Sequence, residues 1–95
     1  MATRRGDWVA FSERLLEELQ SKKELRMSIE DIKEATGTTM TIESLRDRSY
    51  WKACREGRKY FDTHTKRGLA LQEHLDASGK VVAVTYRLAE AHVGV

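Results

Sequence analysis

Trp8, Phe11, Leu15, Leu16 and Leu19 recur at three- and four-residue spacing, with Glu13, Arg14, Glu17 and Glu18 on the opposite side. That spacing predicts an amphipathic helix starting at about Asp7 and ending near residues 21–24. A second, shorter helix is expected over 28–36. Ser28 is suited to cap it, Asp31 stands three residues on as in a capping box, and Ile29, Ile32 and Ala35 form a narrow apolar stripe. Gly37 follows, where a left-handed terminal residue is wanted. Residues 38–41 read as a turn, and Thr41 can cap the next helix.

From Ile42 onward a single helix fits poorly. At 100° per residue from Arg48, Leu45 would fall at about 60° and Arg46 at about 160°, each on the wrong side. The pattern predicts a short helix at 42–47, a break, and a new helix at 49–62 capped by Ser49. This last helix would place Tyr50, Ala53, Cys54, Gly57, Tyr60 and Phe61 on its apolar side. Lys52, Arg55 and Lys59 would form a row opposite. After residue 68 the period becomes two. Leu69, Leu71, Glu73 and Leu75 alternate with Ala70, Gln72 and His74, and Val82, Val84, Tyr86 and Leu88 alternate with Val81, Ala83, Thr85 and Arg87. With the turn sequence Asp76-Ala-Ser-Gly-Lys80 between them, the two runs predict a β-hairpin. The fold class expected is α+β: three to four helices followed by a C-terminal hairpin, as one domain over 7–88. A flexible arm at 1–6 and a short tail at 89–95 flank it.

The order of helix, short helix, turn, basic helix and hairpin is similar to the winged helix-turn-helix superfamily. Ser28 to Gly37 resembles the first helix and turn, Ser49 to Phe61 the recognition helix, and Leu69–Leu75 with Val81–Leu88 the wing. The resemblance implies binding of double-stranded DNA in many members and protein contacts in others. The connection from Gly37 to Ser49 is longer than the usual helix-turn-helix turn.

Charge sharpens this picture. The chain has 95 residues, 40% hydrophobic and 34% charged, with a net charge of only +2. Residues 1–45 carry a net −2, whereas 46–67 carry +5. Segregated charge of this kind is a footprint for a polyanion, or else a solvated helix face. Lys52, Arg55, Arg58 and Lys59 of the basic helix, with Arg48 just upstream of it, are the candidate nucleic-acid contacts. Lys66 and Arg67 just before the hairpin, and Lys80 at its tip, are the candidate contacts of the wing. Glu56 and Asp62, the acids of this helix, are not expected to enter the row. Arg4 and Arg5 could reach a minor groove from the arm. Trp51 falls between the basic and apolar faces and is suited to packing or to stacking on a partner. Trp8 reads as a core anchor.

Other chemistry is sparse. Cys54, the single cysteine, reads as a small buried hydrophobe and fits a reducing compartment. His64, His74 and His92 lack ligand spacing, so no zinc site and no cofactor are expected. No nucleophile elbow, phosphate loop or paired-carboxylate motif is present, and no catalysis is expected. There is no apolar run for a signal peptide or membrane span, which points to a cytoplasmic protein, or a nuclear one in a eukaryote. The first expectation is a double-stranded DNA-binding regulator without a small-molecule ligand. The alternative is a protein-interaction module, inhibitor or accessory subunit of the kind phages and plasmids encode. For RNA, exposed aromatic positions beyond Tyr60 and Trp51 are lacking.

Overall fold

Four small polar residues decide where the helices begin. In the computed structural model, which describes residues 7–89, Asp7 caps α1 (Trp8–Glu18) by accepting the Ala10 N–H. Ser28 caps α2 (Ile29–Thr36) through the Asp31 N–H, and Thr41 caps α3 (Ile42–Leu45) through the Ser44 N–H. Asp47 caps α4 (Arg48–Glu56) through the Ser49 N–H. Each cap takes up an N–H that a helix start leaves without an intrahelical partner. The expected arm at 1–6, with Arg4 and Arg5, and residues 90–95 of the expected tail, with His92, lie outside the described residues.

The break between α3 and α4 falls at Arg46–Asp47, so the cap is Asp47 and not the expected Ser49. Its cause is Trp51, wholly buried, whose indole N–H donates to the Leu45 carbonyl at 2.6 Å. That bond satisfies a carbonyl at the end of α3 and turns the chain. It also closes the alternative that Trp51 stacks on a partner. The end of α4 is a larger correction. The helix stops at Glu56, not at residue 62, because Gly57 adopts a left-handed φ of +68° as its C-terminal residue. A Cβ at Gly57 would lie 2.7 Å from Thr65 Oγ1, so the position is closed to other side chains as well as strained for them. Lys59 therefore leaves the row of Lys52 and Arg55. Tyr60, expected on the apolar side, is 83% exposed.

The hairpin forms as the alternation predicts, with β2 (Leu69–Leu75) and β3 (Val81–Leu88) antiparallel around the turn at 76–80. Asp76 shapes that turn. Its Oδ1 accepts from the Ser78 N–H and hydroxyl and from the Lys80 N–H. One bulge alters the register, since Leu75 pairs with Val81 whereas His74 pairs with Ala83. The extra residue shifts the phase of β3 at its start, so Val81 is buried in place of the expected Val82. A strand not expected from the pattern, β1 (Leu25–Ser28), pairs antiparallel with β3, Leu25 opposite Tyr86 and Ser28 opposite Ala83. The sheet order is β1-β3-β2. The fold is thus α+β, with four α-helices and a three-stranded antiparallel sheet among the described residues.

The inner face of this sheet and the apolar stripes of the helices share one core. Phe11 and Leu15 of α1, Ile32 of α2, Leu45 of α3, Trp51 of α4, and Leu71, Val84 and Tyr86 of the sheet are all buried. Each such side chain contributes roughly 1.5–3 kcal/mol relative to exposure. Trp8 is half-buried and joins the cluster through its ring contacts with Phe11, Tyr50 and Trp51 at 6.1–6.2 Å. Among the described residues no helix is long and apolar enough to cross a membrane.

Candidate nucleic-acid interface

The core fixes the position of α4 by burying Trp51, Ala53 and Cys54, which leaves Arg48, Lys52 and Arg55 outward at spacings of four and three. Arg48 stands in the first turn of its helix, where the macrodipole disfavours a cation by roughly 0.3–1 kcal/mol. The helix gains nothing from a cation there. Lys80 approaches from the hairpin. It lines, with Arg46, Arg48, Ser44 and Ser78, an open polar groove of about 440 Å³ between the hairpin turn and the α3–α4 corner. Residues 32 positions apart in the chain thus share one concave surface.

Arg46 holds the two walls of that groove in register. Its carbonyl accepts the Val81 N–H at 2.9 Å, and its guanidinium donates to Asp76 Oδ2 at 2.6 Å. The Ser78 hydroxyl, the Lys80 and Ser78 N–H groups and Arg46 together hold the Asp76 carboxyl below its usual range. Two further acids, Glu43 and Asp47, also line the groove. Asp47 is committed to capping α4. Arg48 and Lys80 form no ion pair with another described residue, and the same holds for Lys52 and Lys66.

The other candidate cations are already engaged. Arg55 grips Glu73 of β2 with two nitrogens, Nε to Oε1 at 3.0 Å and a terminal nitrogen to Oε2 at 3.2 Å. Glu73 continues the inward phase of Leu69 and Leu71, and its side chain is only 4% exposed against 38% for Arg55. Burial pushes the Glu73 carboxyl up, but the bonds from Arg55, with help from Arg48, outweigh it and leave the group below its usual range. Arg58 lies past the end of α4 and pairs with Glu56 at 2.8 Å, so this acid does reach a cation of the site. Lys59 sits over the Tyr60 ring at 5.2 Å. Arg67 donates to the Thr63 carbonyl at 3.1 Å, on the 3-10 turn that also carries Lys66. The structure therefore brings together Arg48 and Lys80, with Lys52 one turn along α4. Arg55, Arg58 and Arg67 are tied down elsewhere.

Two buried groups resemble reactive ones and are not built as such. Ser12 Oγ lies 3.0 Å from His64 Nδ1, both residues buried. The Ser12 hydroxyl already donates its hydrogen to the Trp8 carbonyl at 2.7 Å. His64 Nδ1 must then carry the proton and donate to Ser12 Oγ. A serine nucleophile needs the opposite polarity, with the histidine accepting. The pair instead fastens α1 to the segment before β2. Burial among the Trp8, Phe11 and Tyr86 rings, and then the Arg67 charge, lower the His64 pKa to about 4. Cys54 is likewise a core residue. Burial pushes its thiol up to about 11; the Tyr50 hydrogen bond opposes this and the Glu73 charge adds to it. Among the described residues no three histidine, cysteine or acidic side chains converge as a metal site would require. Compared with family models, curated proteins and solved structures, the chain matches none.

Proposed function

We propose that the protein binds double-stranded DNA through the surface formed by the start of α4 and the hairpin turn, as a winged-helix regulator would. The observation that carries this reading is the shared groove. Arg48 and Lys80 line it beside Glu43 and Asp47, and neither cation forms an ion pair with another described residue. Cations held on two walls of one groove suit successive phosphates along a duplex backbone. Lys52 extends the line along α4, whose nine residues span about 13 Å. Arg55, gripped by Glu73, serves to fix α4 on β2 and is not a base reader in this reading.

The test is fluorescence anisotropy of a labelled mixed-sequence duplex at two salt concentrations, with wild type and an Arg48→Glu/Lys80→Glu variant. Both positions are exposed and outside the core, so the variant keeps its fold. The expected result is salt-sensitive binding that the variant loses. No association of the wild type at low salt would sink the reading, because even non-specific electrostatic binding shows there. The search would then pass to a protein partner.

A further inference from the structure

Tyr60 is 83% exposed, whereas the other exposed large hydrophobic residues among those described lie at 37–43%. Its backbone is as unusual as its exposure. The Phe61 N–H donates to the Arg58 carbonyl at 2.7 Å, which closes a four-residue turn over 58–61. Tyr60 occupies the third position with φ +72°, the one positive φ outside glycine among the described residues. At the third position of a turn a positive φ, as type II requires, favours glycine or asparagine. A tyrosine in that conformation is strained, and at this exposure it recovers little from burial. Neither backbone preference nor packing accounts for an aromatic ring at this position.

The surroundings of the ring suggest what does. Phe61 sets its ring edge-on to Tyr50 at 5.8 Å, which fastens the turn to the core while Tyr60 projects. The Arg58 N–H bonds to the Ala53 carbonyl, so the turn is continuous with the end of α4. The Lys59 ammonium sits over one face of the Tyr60 ring, 5.2 Å from its centroid, and at 83% exposure the ring leaves its other face to a partner. An open aromatic face beside a cation is the pairing that accepts a nucleobase together with its phosphate. Inside a continuous duplex both faces of every base are covered by neighbours, so such a ring can be used only by an unpaired base or by the last pair of a blunt end, and the blunt duplex of the test separates the two.

We infer that Tyr60 stacks on an unpaired base, with Lys59 at the adjoining phosphate, so that the ligand preferred by the α4 surface is a duplex carrying a single-stranded extension. This rests on the nucleic-acid reading above and names its substrate class. The test compares a blunt duplex with the same duplex bearing a short single-stranded extension, by anisotropy, for wild type, Tyr60→Gly and Tyr60→Trp. Glycine relaxes the positive φ, so Tyr60→Gly keeps the fold, and a thermal melt checks this. Wild type should bind the extended duplex about tenfold more tightly, within the range of base–aromatic stacking. Tyr60→Gly should lose that advantage and leave blunt-duplex affinity unchanged, and Tyr60→Trp should keep it. Equal wild-type affinity for the two duplexes overturns the inference. So does an advantage that survives in Tyr60→Gly, or a Tyr60→Gly loss equal on both duplexes; either outcome would leave the duplex reading standing. No binding to either duplex removes both.

Discussion

Lowering the pH should destabilise this protein through one residue, His64, before its carboxylates contribute. His64 is 2% exposed, ringed by Trp8, Phe11 and Tyr86, and neutral at pH 7, with its pKa lowered to about 4 by burial and by Arg67. In the unfolded chain its pKa returns to about 6.5. Between those values the unfolded state binds more protons, so stability rises with pH and is lost as pH falls below about 6.5. The full effect by pH 4 is about 3 kcal/mol, roughly half of it present by pH 5.5. Glu73 and Asp76 have lowered pKa values, so what they contribute is intact above the usual carboxylate range and is lost only below it. The window from pH 7 to 5.5 therefore isolates the histidine. Urea denaturation followed by circular dichroism at pH 7, 5.5 and 4, on wild type and His64→Phe, reads the difference. The phenylalanine keeps the ring packing, and Ser12 keeps its bond to the Trp8 carbonyl. The variant should lose about 1 kcal/mol at pH 7 for the missing hydrogen bond and then fall less steeply than wild type down to pH 5.5. Parallel curves for the two proteins over that window would refute the reasoning.

Three further outcomes are expected. The Tyr86 hydroxyl is buried without a hydrogen-bond partner among the described residues, so Tyr86→Phe should raise stability by about 1 kcal/mol in the same urea assay; a loss of that size would show the hydroxyl to be satisfied. Gly57→Ala forces a side chain into a left-handed φ of +68° and against Thr65, and a loss of about 2 kcal/mol is expected, read as a lower melting temperature. Glu73→Gln should cost about 1–2 kcal/mol, reduced from the value for a fully buried pair because Arg55 is 38% exposed. The same change releases Arg55, so the slope of log affinity for duplex DNA against log salt should steepen by about one unit; an unchanged slope counts against Arg55 lying within reach of the bound backbone.

What is legible in the sequence is what neighbouring residues decide among themselves. Ser28 with Asp31 and Gly37 bounds α2, Thr41 starts α3, and Asp76 to Gly79 turns the hairpin, each through bonds spanning a few residues. The misses are long-range, or compete with a stronger local pattern. Strand β1 has four residues, too few for alternation to stand out, and exists because β3 offers it an edge. The end of α4 was hidden because Tyr60 and Phe61 happen to continue the helical stripe past Gly57. A glycine followed by two cations was the signal against that extension. The pairing of Arg55 is hidden for a related reason. Glu73 lies 18 residues from Arg55 and neutralises part of the basic row. Its place in the apolar phase of Leu69 and Leu71 was the clue, since a carboxylate on a buried face requires a cation. Arg46, which a continuous helix would have put on the core side, is instead the tie between the α3–α4 corner and the hairpin turn.

The central claim is that the start of α4 and the hairpin turn meet duplex DNA together, and amide chemical-shift mapping tests it most directly. A ¹⁵N-labelled sample titrated with a short duplex should show its largest shifts at Arg46–Lys52 and Ser78–Lys80, with the outer face of α1 around Glu13 and Glu17 unmoved. Shifts confined to α1 or to the outer face of the sheet, or no shifts at low salt, would contradict the account.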